Sequence, residues 1–583
     1  MTIKGRKLGE PAKLLLLSLL VGLGSGLAAV ALEKGIDAIQ KSILPILNRN
    51  GHLGWGYLVF PAIGMFLAML VVRYVVRDNI SHGVTKVLLA VSRNESRIKS
   101  HNTWSSLLTS ALTIGFGGSV GAEAPIVYTG AAIGSNIGKT FKLSYRGITT
   151  LLGCGAAGAI AGIFRAPLAG VLFTLEILLF NMSMSSMMPL LMSTVTATVV
   201  SYLLLGPQTP FGCSIAPFNI ANMPFYLLLG VFCGLFSLYF TRTTLWMEDR
   251  IGHNRSRWLK WLYCSLALGL LIFIFPPLFG EGYGFVGSLL NGEAWDLEGV
   301  TPLASLLHSG WGVPLFVLLV LLFKVVSMTL TNAGGGVGGT FGPTLFVGAL
   351  AGFVLVRSLN LLPAGLHLPE QNFVLVGMAG LMAGVMQAPM TAIFLIAEIT
   401  GGYDLLLPLI LCSATSFGTT RIWEKYSIYT KRIAQSGDLL THDNDQAVMT
   451  LLQVKDLVSD KYPHISMDST LADILPTIVS STVAVFPVLD DGNRFAGILE
   501  MDEIRKHILD PQKADTVPVS DLVHNAPGFV SVNEKMDSVM RKFDRTDAWR
   551  LPVLTDDGMY LGFISRSRIL KAYREELKKI SED

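Results

Sequence analysis

The chain has 583 residues, 51% of them hydrophobic and 15% charged, with a mean hydropathy of +0.52 and a net charge of +3. Soluble globular chains carry closer to about 25% charged residues, so the composition points away from a water-soluble enzyme and towards a membrane protein with several apolar segments. The net charge is too small to argue for a nucleic-acid partner. Cys154, Cys213, Cys233, Cys264 and Cys412 are scattered without a CxxC pair and read as small core residues.

The N-terminus "MTIKGRKLGEPAKLLLLSLLVGLGSG" has the basic start and apolar run of a signal peptide. The run continues without a convincing cleavage site, so it reads as a short cytoplasmic tail and a first membrane helix. Lys4, Arg6, Lys7 and Lys13 set that orientation by the positive-inside rule. Apolar segments recur up to about residue 420, many of them broken by Gly or Pro. Several fragments are too short to cross about 30 Å of hydrocarbon alone. Broken helices are tolerated at depth only against protein or a water-filled cavity, and they point to a transport site.

The stretch "GGSVGAEAP" (117–125) holds one ionisable group, Glu123, in apolar surroundings. A carboxylate there is costly and reads as functional. Downstream, "GAAGAIAGIFRAPLAGVLFTLEI" (155–177) aligns with "GMAGLMAGVMQAPMTAIFLIAEI" (377–399), 222 residues further on. Gly158, Gly162, Pro167 and Glu176 meet Gly380, Gly384, Pro389 and Glu398. Each copy follows a glycine loop that ends in proline, "GAEAP" or "GGTFGP". A duplicated half with broken helices suggests an internally symmetric transporter. The membrane part contains no HExxH, and no GxSxG with His and Asp partners, which argues against a membrane-embedded enzyme.

Past residue 440 charges become dense, and β-rich runs such as "AVFPVLD" alternate with helical ones such as "MDSVMRKF". This reads as a soluble α/β domain, itself repeated at an offset of 65: "VKDLV" (454–458) matches "VSDLV" (519–523), and 487–504 matches 552–569. The expected organisation is a membrane domain over 1–440, a linker over 441–451, two modules over 452–513 and 514–576, and a tail over 577–583.

Together these residues resemble the chloride-channel (CLC) family of anion channels and anion/proton exchangers. Its motifs read roughly GxEGP, GGxFxP, an ELTGxY element and a late SIY; here stand "GAEAP" (121–125), "GGTFGP" (338–343), "AEITGGY" (397–403) and "SIY" (427–429). The tail resembles the paired CBS modules that many members carry. The resemblance implies an α-helical polytopic membrane fold with an inverted internal repeat and broken, re-entrant helices, followed by a tandem CBS domain. It also implies a homodimer in a lipid bilayer, with a pore in each subunit, in a bacterial inner membrane with the N-terminus and the CBS tail cytoplasmic.

On this resemblance Glu123 is the gate, competing as a carboxylate with the anion for the outer site. The backbone at Gly121, Ala122, Thr340 and Phe341 faces the anion. Helix N-termini suit that task through free N–H groups and the positive dipole end, and proline starts such a helix where its missing N–H costs nothing. A phosphate loop is the competing reading of "GGGVGGTFGP", which lacks the following Lys-Ser/Thr. Tyr429 matches the tyrosine whose hydroxyl meets the central anion, with Tyr426 as rival.

Two departures bear on mechanism. Where the family typically reads GSGIPE, this chain reads "SHGVTK" (81–86) and puts His82 at the serine position. An imidazole N–H can still donate to an anion and would tie permeation to pH. The internal proton-transfer position of the exchangers falls on Ile177, just after Glu176. Isoleucine carries no proton, which favours a channel or weak proton coupling over an antiporter using another proton route, with Glu123 and Glu176 as the possible proton path. A secondary transporter for another anion or an organic substrate is the remoter alternative. No cofactor is required beyond chloride as bound ion. Adenine nucleotide at the CBS pair would use Glu503 and Ser565, but Arg568 stands where the ribose-binding Asp is expected.

Overall fold

The computed structural model describes residues 2–3, 6–7, 10–48, 56–78, 80, 83–93, 95–178, 184–206, 215–253, 256–292, 301–363, 365–435, 452–508 and 517–581. The chain forms two compact units, Met1–Leu440 and Thr441–Asp583.

The first unit is helical. In chain order come α1 (Glu10–Asn48), α2 (Gly56–Leu70), α3 (Gly83–Arg93), α4 (Ser105–Gly115), α5 (Glu123–Thr140), α6 (Tyr145–Phe164), α7 (Pro167–Glu176) and α8 (Met184–Leu205). Then follow α9 (Met223–Gly252), α10 (Arg257–Ile274), α11 (Tyr283–Asn291), α12 (Gly312–Ala333), α13 (Phe341–Asn360), α14 (Glu370–Met386), α15 (Pro389–Ile399), α16 (Leu406–Trp423) and α17 (Ile428–Gln435). Among the described residues, eight helices are long and apolar enough to cross a membrane. By contrast α7 has 10 residues and α15 has 11. At a rise of about 1.5 Å per residue each covers only about half of the hydrocarbon thickness. Their N-terminal ends are satisfied inside the protein.

The repeat seen in the sequence is a repeat of backbone. α6 ends on Arg165 (φ 57°, ψ 36°) and α14 on Gln387 (φ 54°, ψ 40°), both left-handed, 222 residues apart. Ala166 (φ −125°, ψ 85°) and Ala388 (φ −130°, ψ 72°) then repeat one cap conformation, and Pro167 and Pro389 open α7 and α15 at the first helical position, where proline is pre-organised. Close packing repeats too. A Cβ on Gly155 of α6 would lie 1.9 Å from the Gly130 carbonyl of α5, and one on Gly377 of α14 would lie 2.4 Å from the Gly348 carbonyl of α13. Only glycine permits backbones to approach this closely.

Reciprocal hydrogen bonds give the relation between the halves. The Glu176 carboxylate, at the end of α7, accepts from the Met390 and Thr391 N–H groups at the start of α15, at 2.9 and 2.7 Å. Glu398, near the end of α15, accepts from Leu168 and Ala169 at the start of α7, at 2.9 and 2.8 Å. Thr113 of α4 accepts from the Val337 N–H at 3.0 Å, while Thr331 of α12 accepts from the Ser119 N–H at 3.2 Å. Head meets tail in each exchange, so α7 and α15 run antiparallel and the halves are inverted. The core sits where they meet, with α5, α6, α13 and α14 almost wholly buried, while α2 and α10 leave much of their apolar surface outside.

The second unit holds two modules, each a three-stranded sheet with one parallel and one antiparallel pairing. Ile465 pairs with Val488 and Val485 with Glu500; 65 residues later Val530 pairs with Val553 and Arg550 with Ser565. Even the irregularity recurs, between Val488 and Leu489 and between Val553 and Leu554. The modules also exchange pairing, Ser459 with Phe563 and His524 with Ile498, each through two hydrogen bonds of 2.9 Å. A separate apolar core fills each module.

Candidate functional site

The two glycine loops meet at the centre of the first unit. Gly121 donates to the Gly339 carbonyl at 3.1 Å, and Gly339 donates to the Gly121 carbonyl at 2.7 Å. A side chain on either glycine would collide: a Cβ on Gly121 falls 2.9 Å from the Gly342 nitrogen, and one on Gly339 falls 3.0 Å from the Ala124 nitrogen. This antiparallel clasp brings the N-termini of α5 and α13 together, with Pro125 and Pro343 in their first turns. Helix starts leave backbone N–H groups without intrahelical partners. Here two such starts, with their positive dipole ends, converge on one buried place.

Glu123 reaches across to the opposite half. Its Oε2 accepts the Gly342 N–H at 3.0 Å, and its Oε1 accepts the hydroxyl of Tyr283, the first residue of α11. The side chain is almost completely buried. A second acid lies alongside: Glu281, in the turn before α11, accepts the Ala122 N–H at 3.0 Å. Lys324 of α12, fully buried, donates to Ser119 Oγ at 2.9 Å, to the Gly280 carbonyl at 2.9 Å and to the Glu281 carbonyl at 3.1 Å, and lies over the Phe346 ring at 4.8 Å. A lysine at this depth is expected to satisfy its three donors internally. Glu281, Tyr283 and Lys324 were not singled out in the sequence. The signal was present: an acid among small residues in "GEGYG", as in "GAEAP", and a lone lysine inside "PLFVLLVLLFKVVSM".

The other candidates fall as follows. Gly121 spends its N–H on the clasp and Ala122 spends its own on Glu281, so neither donor is open. The N–H groups of Thr340 and Phe341 have no hydrogen-bond partner among the described residues. The Phe341 ring packs between Phe164 and Phe173 of the other half, at centroid distances of 5.5 and 6.1 Å. Tyr429 is buried, and its hydroxyl accepts from Thr340 Oγ1 at 3.3 Å. Tyr426 is half-buried under the Lys425 ammonium, away from this bond. His82 lies outside the described residues. Ile177 caps α7 and is buried in the apolar core. Glu176 has both carboxylate oxygens on α15, joined by the Thr391 hydroxyl at 2.6 Å. In the tail, Glu503 pairs with Lys506 at 2.7 Å, and Ser565 accepts the Arg568 N–H at 3.3 Å.

Two cavities bear on access. One of about 670 Å³ is lined by Glu33 and Asp37 of α1, Tyr57 of α2, and by Glu123, Glu281 and Tyr283. Another of about 600 Å³ is lined by Arg73, Arg77, Asp78, Arg257 and Lys260, and by Gly334–Val337, which lead into the α13 loop. The first cavity is therefore mainly acidic and the second mainly basic. Among the described residues no group of side chains could hold a metal ion.

Residues 63–421 match the family model described as voltage-gated chloride channel, and 454–510 and 519–575 each match the CBS domain. The chain is 27% identical over 435 residues to a putative ClcB-like chloride channel protein of Ralstonia nicotianae, covering 72% of this chain and 96% of that one. It is 29% identical over 429 residues to the H(+)/Cl(−) exchange transporter ClcA of Cronobacter sakazakii, covering 70% and 86%. It is 25% identical over 574 residues to the chloride channel protein CLC-f of Arabidopsis thaliana, covering 87% and 72%. Its fold matches that of a slow cyanobacterial Cl−/H+ antiporter, with a TM-score of 0.63 and 21% identity over 74% of this chain and 99% of that one. It also matches a eukaryotic CLC transporter, with a TM-score of 0.58 and 18% identity over 96% and 98%. The glycine clasp, the inverted halves and the family match agree: this chain is an integral membrane protein of the voltage-gated chloride channel family, with a C-terminal pair of CBS domains.

Proposed function

We propose that the chain moves chloride, or another small monovalent anion, across a cell membrane, with Glu123 as the gate. The observation that carries this is the Glu123 carboxylate on the Gly342 N–H, in the first turn of α13. A tethered carboxylate sits where a free anion would bind, on a helix start suited to negative charge. While it is ionised and seated, the anion is excluded. Once it takes a proton or swings into the acidic cavity, the Gly342 donor is freed and the site is open. The N–H groups of Thr340 and Phe341, which have no partner among the described residues, complete an anion cradle with the Tyr429 hydroxyl beside Thr340. Chloride is its bound ion and no cofactor is needed.

The same reading extends to assembly and placement. The protein works as a homodimer in a bacterial inner membrane, with its N-terminus and CBS tail cytoplasmic, and it is a transporter rather than an enzyme. Between channel and exchanger, Ile177 and the fully engaged Glu176 favour a passive or weakly coupled path, because neither offers a free carboxylate there. An antiporter with another proton route is the second reading, and the acidic cavity beside Glu123 is the observation that favours it.

The test is chloride efflux from proteoliposomes over a range of pH. Wild type is expected to speed up on acidification and Glu123→Gln to be faster at alkaline pH with that response reduced; an unchanged response rejects the gate. Reversal potential under a pH gradient at fixed chloride separates the two transport modes, since it moves with pH only if protons are exchanged.

A further inference from the structure

The Glu123 contact has a counterpart in the other half of the site. The N-terminus of α13 is held by a carboxylate from the first half, Glu123 on Gly342, and the N-terminus of α5 is held by a second carboxylate, Glu281 on Ala122. We propose that Glu281 is a second gate: a tethered competitor at the α5 helix start, which an anion must displace, as it must displace Glu123, to use both halves of the site. The inference rests on the anion-transport reading above and adds a residue to its machinery.

Three features support a gating role over a purely structural one. First, the turn that carries Glu281 is fixed without help from its carboxylate. Gly280 and Gly282 take left-handed conformations (φ 63° and 87°), the Gly280 N–H bonds the Gly117 carbonyl at 3.1 Å, and Lys324 grips the carbonyls of both Gly280 and Glu281. The side chain can therefore leave Ala122 while the turn stays in place. Second, Glu281 lines the 670 Å³ cavity, so a displaced carboxylate has space to enter. Third, the charge balance disfavours two ionised carboxylates and an anion together. The charged and titratable groups facing Glu281 are Glu33 and Asp37 from α1, Tyr57 from α2, Glu123 from α5, Tyr283 from α11 and Lys324 from α12. Glu33 is partly offset by Arg165 at 3.4 Å, and Lys324 is the cation that contacts the Glu281 turn. An arriving anion adds negative charge, which is relieved when Glu281 takes a proton from cavity water or turns outward.

Gating by two acids predicts an acid response in two steps. Full-length Glu281→Gln, Glu281→Ala, Glu123→Gln and the double variant Glu123→Gln/Glu281→Gln would be compared in proteoliposomes. Chloride affinity would be measured by calorimetry on the same proteins in detergent. Removing the Glu281 charge is expected to raise efflux at alkaline pH and tighten chloride binding, each by about tenfold, as for the loss of one competing state. Glu281→Gln should keep a single acid-activated step, and the double variant should be flat. Glu281→Ala should bind chloride at least as tightly as Glu281→Gln. Wild-type efflux, pH profile and affinity in whichever of these two variants is recovered monodisperse would overturn the proposal. So would weaker binding in both, which marks a structural carboxylate. Failure of the Glu123 reading shows separately, as an unaltered pH response of Glu123→Gln alone.

Discussion

Tyr283 binds one oxygen of Glu123 while the Gly342 N–H binds the other, so the proposed gate is seated by one side-chain donor and one backbone donor. Removing the hydroxyl in Tyr283→Phe should loosen the seated state without changing its charge. A single hydrogen bond is worth about 0.5–1.5 kcal/mol net, so efflux at alkaline pH should rise about threefold to tenfold. Stopped-flow efflux checks this, and in a Glu123→Gln background the same substitution should have no further effect. Lys324 plays a different part at this scale. Its three hydrogen bonds tie α12 to Ser119 and to the 280–281 turn, so it holds that turn in place beside Glu123.

Among the elements, α7 and α15 are too short to cross the membrane, and each is completed by the carboxylate at the other's end. Glu176→Gln replaces a charged acceptor at a helix N-terminus with a neutral one, which should cost about 0.5–2 kcal/mol and lower the melting temperature in detergent. It should leave any proton-to-anion ratio unchanged; a fall in that ratio would mark Glu176 as part of a proton path. Much of this level was legible in the sequence. Proline at the first helical position, the 222-residue offset and the glycine loops fixed where helices break and which pairs correspond. The swap of Glu176 and Glu398 between halves was not legible, because equivalence in sequence does not say which copy a side chain touches. Glu281, Tyr283 and Lys324 escaped for a related reason. None belongs to a repeat, and Ala122 and Glu281 are joined only by a fold that closes a gap of 159 residues.

For the whole molecule, the membrane unit and the tail rest on different physics. The tail is held by two small apolar cores and by a capping box, Thr470 with Asp473, at the start of the helix Leu471–Val479. Glu534 is one of its polar anchors. Burial pushes its carboxyl up, but hydrogen bonds from Lys542, Ser538 and the Ser531 N–H outweigh this and hold it below the ordinary value of 4.5. A carboxylate depressed by folding stabilises above its unfolded value, and that contribution fades as pH falls through the lower folded value. Glu534→Gln should therefore destabilise the tail near neutrality and matter little in strong acid, as urea unfolding at the two pH values would show. The membrane unit carries its information in the clasp between Gly121 and Gly339. Those two residues are made far apart in time on the ribosome, the second only after the first half and several more helices have been inserted. Until Gly339 arrives, the first loop lacks its partner, Glu123 lacks the Gly342 donor, and the proposed anion site is incomplete. On that proposal the clasp makes competence a property of the finished chain, and a half-built protein would not leak.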